Sequence, residues 1–119
     1  MTHVLIVEDD AAVRNGLAEL LELEGFVVSR AVNGRDSLNQ LNAGLRPDVV
    51  VLDLIMPVMD GLRFLKTLRA GAQASIPVLV VTAVGDQVDL QYLSADLGCP
   101  VLSKTGPIEP LLEALRAIG

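Results

Sequence analysis

Four short apolar runs in this chain each lead into a side chain suited to ionic chemistry. Val4-Leu5-Ile6-Val7 runs into Glu8-Asp9-Asp10, and Val49-Val50-Val51-Leu52 ends at Asp53. Val78-Leu79-Val80-Val81 ends at Thr82, and Val101-Leu102-Ser103 ends at Lys104. Apolar runs exclude water, so an ionised Asp53 closing one of them needs a metal, a cation or hydrogen-bond donors to hold its charge. The set supplies both kinds of partner. Four strand ends thus carry acid, acid, hydroxyl and ammonium, which together make a candidate site.

Holding these residues together requires short, buried strands that end at one place. Strand-length apolar runs begin near Val4, Phe26, Val49, Val78 and Val101, and the intervening segments carry helical spacing, which predicts five βα units. A first helix is expected after Asp10, burying Val13, Leu17, Leu20 and Leu21 and stopping at Gly25. Asn33-Gly34 marks a turn, and Leu38, Leu41 and Leu45 form a second stripe that Pro47 should end. Asp60 is placed to cap a third helix carrying Leu62, Leu65 and Leu68. Residues 86–97 show only a partial stripe, Val88, Tyr92 and Leu93. A last helix follows Pro107, with Ile108, Leu111, Leu112, Leu115 and Ile118 inward and Glu109 near its positive end.

The runs at Val4, Val49 and Val78 are apolar at consecutive positions, as central parallel strands covered on both faces require. The mixed run from Phe26 to Val32 and the run opened by Pro100 read as edge strands. Ligands of such sheets bind outside the carboxyl ends of the strands, where all four reactive groups fall.

At 119 residues, the chain reads as a single domain over 1–119. Hydrophobic residues make up 51% of it with only two Phe and one Tyr, so the core must be aliphatic. The formal charge of −6 and only two lysines, Lys66 and Lys104, argue against direct nucleic-acid or anionic-membrane binding. No run approaches the roughly 20 apolar residues of a membrane helix, and no signal segment opens the chain, which predicts a cytoplasmic protein. The lone Cys99 reads as a small buried hydrophobe, and His3 as a satisfied strand residue.

In order and spacing, Val4 to Asp10, Val51 to Gly61, Val80 to Ala83 and Val101 to Lys104 resemble a response-regulator receiver domain of two-component signalling. The resemblance implies a flavodoxin-like α/β fold, a doubly wound five-stranded parallel sheet of order 2-1-3-4-5 with helices on both faces. It implies Asp53 as phosphoacceptor, attacking a phosphohistidine or small acyl phosphate. Asp9 would ligate Mg2+ (or Mn2+) directly, Glu8 would reach it through water, and Asp53 and the backbone carbonyl of Ile55 would complete the protein ligands. Lys104 and Thr82 would hold phosphoryl oxygens, with Ala83 leaving room, and their movement would be the switch. Asp10 reads mainly as a helix cap.

Some positions depart from the family pattern. The switch aromatic corresponds to Val101, and the proline after the lysine, usually joined through a cis bond, corresponds to Thr105. A cis bond before Thr105 would cost about 2.5–4 kcal/mol, so the loop is expected trans unless its surroundings enforce otherwise. Ile55 and Val84, two residues after Asp53 and Thr82, cannot orient an attacking water, which predicts a long-lived phosphoryl group. The leading function is a phosphorylation-dependent switch served by a histidine kinase or phosphotransfer protein, with an unidentified downstream partner. Its only catalysis would be its own phosphorylation and dephosphorylation, and it is expected as a monomer or weak dimer. A phosphorylation-independent interaction module with an atypical output face is the second reading. An aspartyl-intermediate phosphatase ranks last, because Ile55 stands where such enzymes place an acid-base carboxylate. Dinucleotide binding is disfavoured by the absence of G-x-G-x-x-G after the first strand.

Overall fold

Runs of consecutive β-branched and aliphatic residues pair into a sheet only if both faces are then covered, and the helical stripes between them provide the covers. A computed structural model describes residues 2–53, 61–71, 75–82, 99–103 and 107–118, with the side chains of 61, 62, 82 and 103 outside that description. Its elements are β1 (His3–Val7), α1 (Ala11–Leu23), β2 (Val27–Ala31), α2 (Gly34–Asn42), β3 (Val49–Asp53), α3 (Gly61–Ala70), β4 (Val78–Thr82), β5 (Val101–Ser103) and α4 (Glu109–Ile118). The five strands form one parallel sheet in the order β2-β1-β3-β4-β5. This is the flavodoxin-like order expected from the sequence, with β2 and β5 at the edges.

Strand alternation divides the core into two layers. Leu5, Val7, Val50, Leu52, Val78 and Val80 face one way and pack with Leu41 of α2 and Phe64, Leu65 and Leu68 of α3. Val4, Ile6, Val49, Val51, Leu79 and Val81 face the other way, against Ala18 and Leu21 of α1 and Leu111, Leu112 and Leu115 of α4. Helices thus cover both faces. No helix among the described residues is long and apolar enough to cross a membrane.

The boundaries follow local chemistry. Asp10 caps α1 by accepting from the Val13 N–H at 3.1 Å, and Gly25, at φ +94°, ends that helix. Asn33 caps α2 in the same way, accepting from the Asp36 N–H at 2.8 Å. The α2 helix stops at Asn42, ahead of the expected Pro47, because Gly44 takes a left-handed conformation at φ +115°. On α1 the expected inward face is too wide. Leu21 is buried and Leu17 packs on the core, but Val13 and Leu20 are 39% and 36% exposed, and small Ala18 makes the close approach. On α3 the buried face includes the fully buried Phe64 together with Leu65 and Leu68. The Asp60 cap and the helix expected over 86–97 lie outside the described residues.

His3 behaves as a satisfied strand residue, its Nε2 2.7 Å from the Ser29 hydroxyl. Pro100 precedes β5 and contributes its carbonyl to Val80 N–H at 2.9 Å, so its missing N–H falls outside the ladder. At the opposite edge, Val27 and Ala31 bond towards β1, which turns the backbone groups of Arg30 and Val32 outward. Two of these outward groups are occupied by α2. Gln40 Nε2 donates to the Arg30 carbonyl at 2.8 Å, and the Val32 N–H donates to the Asp36 carboxylate at 2.9 Å.

Candidate functional site

The carboxyl ends of β1 and β3 lie side by side. Val7 pairs with Leu52, and Glu8 and Asp53 come next on their strands. The β1 ladder runs one residue beyond the strand, where Glu8 N–H donates to Ala31 carbonyl at 3.2 Å. The Glu8 carboxylate turns back to accept from the Asp10 N–H at 3.1 Å. Both Glu8 and Asp53 are buried, at 3% and 4% exposure, whereas Asp9 is exposed. Carboxylate oxygens of Glu8, Asp9 and Asp53 all lie within 4.8 Å of one another. Three acids so close, two of them shielded from water, repel one another strongly, and a cation among them would relieve that repulsion.

The donor set fits a hard divalent ion. Two oxygens on opposite sides of Mg2+ stand about 4.2 Å apart, so a cluster spanning 4.8 Å needs only a small inward movement or one intervening water. All three donors are carboxylate oxygen, the type such ions prefer, with no thiolate or imidazole among them.

Thr82 ends β4, one residue past Val81, which pairs with Asp53, and it pairs in turn with Ser103. The chain positions of Asp53, Thr82 and Ser103 therefore follow one another across three adjacent strand ends. The Thr82 side chain, Ile55, Ala83, Val84, Lys104 and Thr105 lie outside the described residues. Val101 is 8% exposed and belongs to the core layer beneath α2 and α3. Cys99 lies in the same layer, where burial pushes its thiol pKa up and Arg69 pulls it partly back. It remains a neutral core residue, as its sequence context suggested.

One residue of this region was not singled out by sequence. Arg14, in the first turns of α1, folds back over the β1–α1 turn and donates through Nη1 to the Glu8 carbonyl at 2.8 Å, with the Asp9 carbonyl at 3.5 Å. A cation four residues after a capping Asp, immediately behind an acidic cluster, is the signal that could have found it.

The family model for the response regulator receiver domain matches residues 4–116. The chain belongs to the response regulator receiver domain family. Receiver domains of this kind serve two-component signalling, in which response regulators interact with histidine kinases, and they are signalling domains rather than conventional enzymes. The chain is 40% identical over 117 residues to the response regulator MprA of Mycolicibacterium vanbaalenii, covering 98% of its own length and 49% of that protein. It spans about half the length of the curated relatives it matches. Among solved structures, the receiver domain is similar to chemotaxis protein CheY4 of Vibrio cholerae, with 28% identity, TM-score 0.84 and coverage of 100% and 99% of the two chains. It is also similar to TrrA of Thermotoga maritima, solved in complex with Mg2+-BeF, at 26% identity, TM-score 0.85 and full coverage of both chains.

Proposed function

We propose that this receiver domain is a phosphorylation-dependent switch in a two-component or phosphorelay system, with Asp53 as acceptor of the phosphoryl group. The observation that carries the reading is the convergence of Glu8, Asp9 and Asp53 within 4.8 Å at adjacent strand ends. An Asp53 oxygen attacks phosphorus, the new O–P bond forms as the donor's P–N or P–O bond breaks, and the electron pair leaves with the imidazole or carboxylate of the donor. Asp9, Asp53 and the Ile55 carbonyl would hold Mg2+ (or Mn2+) directly and Glu8 through water, and TrrA's complex with Mg2+-BeF supports the same choice of ion here. When bound, the ion supplies neutralisation of the carboxylates and of the incoming phosphoryl oxygens. Burial of Glu8 and Asp53 keeps bulk water off the acceptor, and the Asp10 N–H holds the Glu8 carboxylate in place.

Thr82 and Lys104 would bind the phosphoryl oxygens, Thr82 by its hydroxyl and Lys104 by its ammonium, with Ala83 leaving room beside them. A shift of their loops by such bonds requires a coupling of roughly 1–3 kcal/mol. A histidine kinase or phosphotransfer protein is the donor, the domain occupies residues 1–119, and the setting is cytoplasmic. Val101, an aliphatic core residue, and Thr105 replace the groups that relay phosphorylation elsewhere in the family, so the output differs from the common one. That same burial of Val101 favours, as second reading, an interaction module that works without phosphorylation. Intact-mass analysis after incubation with Mg2+ and acetyl phosphate separates the two. One added phosphoryl group, absent from Asp53→Asn, supports the switch, and an unchanged native mass supports the module.

A further inference from the structure

An arginine in contact with two acidic residues ordinarily pairs with a carboxylate, yet among the described residues Arg14 reaches their backbone carbonyls and makes no such ion pair. Its guanidinium donates to the Glu8 carbonyl at 2.8 Å and approaches the Asp9 carbonyl at 3.5 Å. Its own N–H is in the α1 ladder, bonded to the Asp10 carbonyl at 2.9 Å, so the side chain is anchored on the helix that begins directly after the turn. The half-buried Arg14 therefore ties the helix to the backbone of the two residues that carry the acids. It does so without occupying the carboxylates themselves.

We propose that Arg14 is a positioning residue for cation binding at Glu8, Asp9 and Asp53. The inference rests on the switch reading, because that reading makes the acidic cluster a cation site. The Glu8 N–H is held by the Ala31 carbonyl of β2, and the Glu8 carbonyl by Arg14. Asp9, the exposed member of the cluster, has no such ladder bond among the described residues, and the approach of Arg14 to its carbonyl limits how the exposed turn can swing. Groups that orient metal-binding carboxylates in this way commonly alter metal affinity by roughly 10–100-fold when removed.

Two effects of Arg14 oppose each other, and their signs differ. As a positive charge it disfavours a second cation nearby, so removing it by charge alone tightens Mg2+ binding. As a clamp it orients the ligands, so removing it weakens binding. Calorimetric titration of the metal-free protein with Mg2+ reads the balance directly, with the urea midpoint measured on each variant. Arg14→Met, which loses charge and donor, is expected to bind Mg2+ roughly tenfold more weakly. Arg14→Lys, which keeps both, restores binding to within about twofold, a partial rescue consistent with one retained donor. Arg14→Ala provides the same donor-free comparison should the methionine variant fail to fold. Binding by Met or Ala variants as tight as the native protein's, or tighter, overturns the positioning role. An absence of any Mg2+ heat from the native protein overturns the switch reading and this inference together, and is distinguished by the native titration itself.

Discussion

The turns after β1 and β2 are built alike and used differently. Each follows a parallel strand, each opens a helix with an Asx cap, Asp10 or Asn33, and each carries further acid. After β2 the acid is consumed by structure: Asp36 accepts from the Val32 N–H and lies 3.3 Å from Gln40 Nε2. After β1 the acids gather instead with Asp53 of the neighbouring strand, and the turn's carbonyls are held by Arg14. The difference is one of location in the sheet. The β2 turn lies at an edge, where unpaired backbone needs partners, whereas the β1 turn lies beside β3, where another acid is already waiting. A turn beside a second acidic strand end can build a site; one at the edge closes the fold.

The largest effect expected of this contrast is at the acceptor. Asp53→Asn abolishes phosphoryl uptake from acetyl phosphate, and a persistent mass increase in that variant would place the chemistry elsewhere. The two acids separate next. Asp9→Asn is expected to weaken Mg2+ binding at least tenfold, as loss of a direct carboxylate ligand should. Asp36→Asn should leave Mg2+ affinity within about twofold while lowering urea stability by about 1 kcal/mol, through loss of charge-assisted bonds to the edge. Titration and unfolding of both variants break the comparison if the effects are exchanged. The caps should behave equally, since they share one role: Asn33→Ala lowers stability by about 1 kcal/mol.

Ser37, in α2 just beyond the second turn, has a fully buried hydroxyl with no hydrogen-bond partner among the described residues. Ser37→Ala is expected to leave stability unchanged or to raise it by up to about 1 kcal/mol, and a clear loss in urea would reveal a partner for that oxygen. The smallest effect lies in neither turn. Burial raises the Cys99 pKa above its unfolded value, so its contribution is complete below the unfolded pKa and declines as pH rises through the folded one. The alkaline fall in stability should therefore be slightly shallower in Cys99→Ala than in the native chain, each referred to its own value at neutral pH.

The strands were legible because consecutive aliphatic residues admit few other arrangements, and the mixed runs at Phe26 and Pro100 marked both edges. Glu8, Asp9 and Asp53 were legible for the same reason: charge at the end of a buried strand is conspicuous. Helix faces were harder to read. Val13 and Leu20 are large and apolar, yet α1 meets the sheet along the narrower stripe of Leu17, Ala18 and Leu21, and a small alanine carries no hydropathic signal of its own. Phe64 was missed because a three-residue spacing through Leu62, Leu65 and Leu68 conceals the four-residue step that buries it. Gly44 ended α2 before Pro47 could, since a left-handed glycine stops a helix by geometry that apolar spacing does not encode. Arg14 escaped notice because its partners are backbone oxygens, which every residue possesses.

The sealing of β2 by Gln40 and Asp36 has a consequence for crowding. A parallel sheet offers each further strand the same row of donors and acceptors, so an open edge invites copies of a chain to zip together. At the end of β2 nearest the acidic cluster, one outward carbonyl and one outward N–H are already taken within the same molecule. That end of the sheet therefore gives a growing fibre little to hold.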